Sequence, residues 1–193
     1  MEIEIKIPLN EPFSPLDVIS NLLHEFGNSS EQINQIDYYF SSPIHDFAIT
    51  DEAVRLRQIQ TESGNEMIEL TYKGPKQGKS MKIREEITVK TTDSNNAKKF
   101  LHCLGFNLFA VVKKKRMNWF VSDFVISVDE VEDLGSFLEI EKMTTSENSE
   151  SIYKSKEEII CLVRNLIPNW SGEDERKSYL ELLFAKKLNS QGI

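Results

Sequence analysis

The chain has 193 residues, 39% apolar and 28% charged, with a net charge of −8. That is globular rather than disordered composition, no apolar run approaches the roughly 18 to 20 residues of a membrane span, and the overall sign argues against binding nucleic acid by phosphate neutralisation. Met1-Glu2-Ile3-Glu4 shows neither the basic nor the apolar region of a signal peptide. Cys103 and Cys161 lie far apart with no metal-ligand spacing, so a cytoplasmic protein with free thiols is expected, with neither membrane nor nucleic acid as partner.

Glu2 to Ile7 alternates charged and apolar residues, the pattern of a strand with one face of each kind. A helix follows, with Ser14 as N-cap, Pro15 in the first turn, Leu16, Ile19, Leu23 and Phe26 as the apolar stripe and Gly27 just past its end. Ile33 to Phe40 reads as a strand and Pro43 to Asp51 as a loop. Ala53 to Gln60, Met67 to Lys73 and Met81 to Lys90 are three further strands, the second ending at Gly74-Pro75. A short helix is expected from Asp93 to Leu104, with Phe100, Leu101 and Leu104 on its buried side. Val111 to Val121, Asp123 to Val131 and Phe137 to Met143 are strands, the last two flanking Leu134-Gly135. Thr144 to Ser151 is a polar loop, and helices from Glu150 to Ile167 and Glu173 to Leu188 close the chain. A charged alternating strand, a helix and several strands occur twice, too dissimilar to prove duplication. One domain over residues 1–193 is expected, strands to about 143 and helices from about 150 to 188.

Sorting each strand by parity puts Glu2, Glu4, Lys6, Asp37, Arg55, Arg57, Glu69, Lys73, Lys82, Arg84, Glu86, Asp129, Glu139 and Glu141 on charged faces, opposite apolar ones. Lys114 and Arg116 join them, although the run Lys113 to Arg116 leaves that register open by one residue. Two architectures fit: a sheet with one wet face, or a barrel whose apolar face is covered by the helices and whose charged face lines the interior. Enclosed charges need partners. A polyphosphate with divalent cations would satisfy both signs, since Arg and Lys pair with phosphate oxygens while Asp and Glu offer hard oxygens to Mg²⁺ or Mn²⁺. Residues 74 to 80 lack Walker spacing. His24, His45 and His102 are scattered, with no triad or zinc pattern.

The ordered motifs resemble the CYTH superfamily, which groups class IV adenylyl cyclases with thiamine and inorganic triphosphatases. They are Glu2-x-Glu4-x-Lys6, Asp37-Tyr38-Tyr39-Phe40, Arg55-x-Arg57, Tyr72-Lys73-Gly74, Arg84-Glu85-Glu86, Lys114-x-Arg116 and Asp129-x-Val131-x-x-Leu134-Gly135-x-Phe137-x-Glu139-x-Glu141. Ser178-Tyr179-Leu180-Glu181 resembles the C-terminal helix of the cyclase-like branch. The resemblance implies an α+β fold, an eight-stranded antiparallel β-barrel (a triphosphate tunnel) with helices packed outside. It implies that Arg55, Arg57, Lys73, Arg84, Lys114 and Arg116 hold a triphosphate and that Lys6, Arg57 and Lys73 serve catalysis. Glu2, Glu4, Asp129, Glu139 and Glu141 would hold Mg²⁺ or Mn²⁺.

Two reactions follow from the resemblance: cyclisation of ATP with loss of pyrophosphate, or hydrolysis of the terminal phosphate of an inorganic or thiamine triphosphate. A non-catalytic polyphosphate sensor is a third reading, disfavoured because anion binding alone needs no set of five carboxylates. A homodimer is left open. Leu16, Ile19, Leu23, Phe26, Phe100, Leu104 and Leu183 are expected to pack outside the barrel on Ile3, Ile5 and Ile140. Removing Arg57 is expected to weaken triphosphate binding while leaving stability level or higher.

Overall fold

The computed structural model of the protein describes residues 2–29, 32–75, 85–143 and 149–190. Lys82 and Arg84, and most of the loop from Thr144, lie outside the described residues.

Eight strands form one antiparallel sheet: β1 (Glu2–Leu9), β2 (Ile33–Ser41), β3 (Ala53–Thr61), β4 (Glu66–Lys73), β5 (Glu86–Thr91), β6 (Asn107–Val121), β7 (Phe124–Val131) and β8 (Gly135–Met143). Their order is β1-β8-β7-β6-β2-β3-β4-β5. This is the expected tunnel-type architecture. The strand ladder itself ends at β1 and β5, which are not paired with each other among the described residues.

The apolar parity of most strands faces outward onto helices, but on β5 Ile87 and Val89 are 55% and 54% exposed and join no core cluster. Ile3, Ile5, Ile7 and Leu9 of β1 join Trp119, Ile126, Val128, Leu138 and Ile140 in the largest core cluster. Two helices cover it, α1 (Pro15–Phe26) and α4 (Ser149–Leu166), through Val18 and Leu22 and through Ile159, Val163 and Leu166. Beyond α1, Gly27 adopts φ +76°, which an L side chain disfavours, and its carbonyl accepts the Trp119 indole N–H at 3.0 Å. A second cluster, Phe40, Val54, Leu56 and Ile68, lies under Leu101 of α3 (Ser94–Cys103). No helix among the described residues is long and apolar enough to cross a membrane.

The helices differ from the sequence reading in four places. In α1 the buried pair is Val18 and Leu22, with Ile19 and Phe26 alongside, while Leu16 is 76% and Leu23 41% exposed. Two overlapping stripes satisfy the 3.6 period, and contact with α4 selects one of them; Asn21 donates to the Leu166 carbonyl at 3.0 Å. Of the large apolar residues of α3 only Leu101 is buried; Phe100 and, just past the helix, Leu104 are 61% and 55% exposed, because Ala97 and Leu101 are the residues packed on β2 to β4. Inside the expected loop, Asp46 caps a single helical turn, α2 (Phe47–Thr50), by accepting from the Ala48 N–H. The last helix, α5 (Tyr179–Ser190), starts six residues late. There Ser178 Oγ accepts from the Glu181 N–H, and a Glu181 carboxylate oxygen accepts from the Ser178 N–H. This capping box fixes the start, and residues 173–178 run non-helical ahead of it.

Leu183 also sits elsewhere than expected. Tyr179, Leu182 and Leu183 pack with Val112, Val131 and Phe137. Those three strand residues share the parity of Lys114, Asp129 and Glu139, so α5 seats on the apolar end of the charged face, not against Ile3, Ile5 and Ile140.

Leu22→Ala should therefore destabilise the protein by about 2 to 5 kcal/mol. Phe100→Ala, which removes an exposed side chain, should cost less than about 1 kcal/mol. Denaturant titration of the two variants checks this; a larger loss for Phe100→Ala would mean that α3 packs differently.

Candidate functional site

The strand register lines up opposite charges. Asp37 faces Arg57 across β2 and β3, Arg116 faces Asp129 across β6 and β7, and Lys6 faces Glu139 across β1 and β8. Directly opposed side chains of one face lie within reach of each other, and each of these pairs forms an ion pair. The register that the run Lys113 to Arg116 left open is fixed here: Lys114 and Arg116 are buried, and Lys113 and Lys115 are exposed.

Asp129 is the centre of the site and has no exposed surface. Its Oδ1 accepts from Arg116 Nε at 2.6 Å. Its Oδ2 accepts from Arg116 Nη2 at 2.6 Å, from Lys114 Nζ at 3.0 Å and from the Tyr179 hydroxyl at 2.8 Å. Arg116 also donates to Glu139. Glu139 Oε1 lies 3.2 Å from Lys6 Nζ, which is 3.6 Å from Glu4. A second group forms on β2 and β3, where Arg57 holds Asp37 in a two-pronged contact at 2.6 and 2.7 Å and Arg55 Nη1 stands 3.9 Å away. Lys73 pairs with Glu86 at 2.5 Å near the β5 edge.

Burial and partners pull these groups in opposite directions. Burial raises the Asp37 carboxyl, but the Arg57 guanidinium, with Arg55 and Lys114 behind it, more than offsets this and holds it well below the usual carboxylate range. Glu139 is likewise raised by burial and brought far lower by Arg116, Lys114 and Lys6. Burial and the neighbouring Arg116 bring Lys114 down to about 8, despite Asp129 and Glu139. Lys73 is lowered by burial and by Arg55.

Two polar atoms in this region are left over. The Nε of Arg55 and the Oε1 of Gln35 are buried and have no hydrogen-bond partner among the described residues. Gln35 shares the parity of Asp37 and lies opposite Lys114 in the register. Parity alone would have flagged Gln35, but a glutamine in a run of charges draws no attention. Tyr179 was missed as a site residue because only the tertiary fold brings α5 to this face.

The acidic set divides. Glu4 and Glu141 are direct cross-strand partners, an arrangement of like charges that is unfavourable unless a cation lies near. Their oxygens are of the hard kind that suits Mg²⁺ or Mn²⁺; Lys6 lies 3.6 Å from Glu4, and Glu139 on the same face is engaged by Arg116 and Lys6. Asp129 is already engaged by Arg116, Lys114 and Tyr179, and the Glu2 side chain lies outside the description. No three acidic, His or Cys side chains are gathered into a metal cage among the described residues. Mg²⁺ is commonly held by only one or two carboxylates plus substrate phosphates, so the donor set fits an ion that arrives with a phosphate ligand.

The Asp37–Arg57 pair overturns the expectation that Arg57 is dispensable for stability. Removing one partner leaves a buried charge behind, so Arg57→Ala should cost about 3 kcal/mol. Asp37 has a lowered pKa in the folded state, so its stabilisation is complete above the unfolded carboxyl pKa and is lost as pH falls below about 4. Unfolding midpoints taken between pH 7 and 2 should fall in acid, and Asp37→Asn should flatten that fall. An unchanged acid slope in Asp37→Asn would show that the pair carries no such linkage.

Residues 1–169 match the CYTH domain. A Methanocaldococcus jannaschii protein named “putative adenylate cyclase” is 37% identical over 183 residues, which span 94% of this chain and 98% of that protein. A solved structure from Pyrococcus horikoshii superposes with a TM-score of 0.83 at 33% identity, covering 96% of this chain and 99% of the other. A Hippeastrum protein, named “putative adenylyl cyclase” and described as having a dominant triphosphatase activity, shares the fold with a TM-score of 0.66 at 19% identity, over 96% of both chains. With a charge-lined antiparallel sheet, the ordered motifs and a family match across all eight strands, the chain belongs to the CYTH domain family.

Proposed function

We propose that this protein is a metal-dependent enzyme acting on a triphosphate, with cyclisation of ATP to cyclic AMP and pyrophosphate as its reaction. The observation that carries the triphosphate reading is Arg55, a buried arginine whose Nε has no hydrogen-bond partner among the described residues. An unsatisfied buried donor is costly, and a phosphate oxygen is an acceptor that would relieve it. Lys6, Lys114 and Arg116 are buried on the same face. Arg57 and Lys73, both largely covered, extend the row of cations across β3 and β4.

In this reading Arg55, Arg57, Lys73, Lys114 and Arg116 receive the phosphate chain, joined by Arg84. Lys6 stands at the reacting phosphate. A guanidinium holding a carboxylate on one edge keeps further N–H donors for a phosphate oxygen. Glu4, Glu139 and Glu141, with Glu2, would hold Mg²⁺ or Mn²⁺, which when bound supplies Lewis-acid stabilisation of charge on phosphoryl oxygens. The site's own cations orient the chain and meet charge that develops in the transition state. The name of the Methanocaldococcus relative supports the cyclase reading. The activity described for the Hippeastrum protein supports hydrolysis of the terminal phosphate as the second reading, because the same clamp serves either nucleophile.

Turnover of ATP, tripolyphosphate and thiamine triphosphate, measured side by side with Mg²⁺, Mn²⁺ or chelator, decides between them. Cyclic AMP and pyrophosphate from ATP are expected; phosphate release without cyclic AMP selects hydrolysis, and turnover that survives chelator contradicts the metal requirement. Glu141→Gln should raise the metal concentration needed for half-maximal rate.

Arg55→Ala tests the clamp. It should weaken tripolyphosphate and ATP binding together by roughly 10- to 150-fold, the loss of one charge-assisted contact, and weaken AMP much less. Titration calorimetry reads this directly, and equal losses for AMP and ATP would move Arg55 away from the phosphate chain.

A further inference from the structure

We infer that Tyr179, at the start of α5, is a positioning residue for the anion clamp: it seats the ammonium groups of Lys6 and Lys114 and shares Asp129 with them. The inference rests on the triphosphate reading above and adds a residue from outside the strands.

The side chain touches three site groups at once. Lys6 Nζ lies 4.3 Å from the centroid of its ring and Lys114 Nζ 5.0 Å from it. Its hydroxyl donates to Asp129 Oδ2 at 2.8 Å. The ring is fixed from behind by Phe137, edge-on at 5.0 Å, and the residue is only 7% exposed. The segment before it grips the same strand: the Glu175 N–H donates to the Lys6 carbonyl at 2.7 Å, and Lys6 Nζ donates to the Lys177 carbonyl at 3.2 Å.

The chemistry of these contacts suits a clamp that must change partners. An aromatic face attracts an ammonium through its quadrupole and takes no lone-pair-directed hydrogen bond, so it places the group without itself taking up an N–H donor. A carboxylate offers about four acceptor directions. At Asp129, Oδ1 takes one bond from Arg116, while Oδ2 is crowded by three, from Arg116, Lys114 and Tyr179. When a phosphate draws Lys114 away, the neutral hydroxyl remains on the buried carboxylate, and the exchange leaves no bare charge. A purely structural aromatic at this place would need the ring and the Phe137 contact but no hydroxyl aimed at Asp129.

Tripolyphosphate binding is measured by calorimetry, with Mg²⁺ present and absent, for wild type, Tyr179→Phe, Tyr179→Leu and Phe184→Ala. Phe184 stacks on Phe109 at 4.8 Å and anchors α5 away from the charged groups, so its loss reports what loosening the helix does. Tyr179→Phe should lose affinity severalfold and Tyr179→Leu roughly tenfold or more, as the cation–ring contacts go too. Phe184→Ala should lower the melting temperature with affinity kept. For whichever triphosphate is turned over, KM should rise more than kcat falls. Equal affinity in wild type and both Tyr179 variants, tighter binding in Tyr179→Leu, or an equal loss in Phe184→Ala would each overturn the role of Tyr179 while leaving the triphosphate reading intact. Failure of the wild type to bind tripolyphosphate would overturn both.

Discussion

A carboxylate cut off from water must be matched by donors from its own protein, and at Asp129 that requirement organises one end of the molecule. Arg116 can reach it because β6 and β7 pair in the register that sets the two residues opposite each other. Lys114 arrives from the same strand two residues earlier, and Tyr179 arrives from a helix some fifty residues later. Glu139 then shares Arg116 and Lys6. Such pairs repay desolvation only when geometry is good and every lone pair is used. Compensation therefore spreads from strand to strand as a chain of alternating sign, not as isolated bridges.

The same chain explains how one face can be both stable and receptive. Its members are largely neutralised by one another, yet the match is incomplete at Arg55 and Gln35. On the β1–β8 side, acid faces acid at Glu4 and Glu141. The anion and cation contacts of the proposed function thus sit at different places on one surface. A ligand that carries negative charge along its length, together with a divalent ion, would address both without dismantling the centre.

Strand faces were legible in the sequence because a period of two is local: Ile3, Ile5 and Ile7 against Glu4 and Lys6 needs no knowledge of partners. The motif order added the strand count and the tunnel architecture. Which strands neighbour each other was not legible, since β1 beside β8 and β2 beside β6 are pairings between residues far apart in the chain. For that reason Arg57 looked like a free ligand-binding cation when it is also half of a buried pair. Helix stripes misled for a different reason. Near-equivalent faces such as Leu16/Leu23 and Val18/Leu22 in α1 are separated only by contact with α4. The start of α5 was written in Ser178 and Glu181 as a capping box, which a helix drawn from Glu173 passes over. Tyr179 was visible as part of a motif, and its role needed the tertiary placement of Val112, Val131 and Phe137.

The pairing of β1 with β8 joins residue 2 to residue 143, which sets an order of events on the ribosome. β1 is synthesised well before β8 and has its ladder partner only when that strand has emerged. Its other edge receives the Glu175 N–H at Lys6 later still. Until then Ile3, Ile5 and Ile7 form a short alternating apolar segment with both edges open, the kind of sequence that pairs with other chains. Glu4 and Lys6 between those isoleucines, and Glu2 just before them, are charges that such intermolecular pairing would have to bring together. The residues read here as ligands for phosphate and metal thereby also guard the nascent chain before there is a site for them to serve.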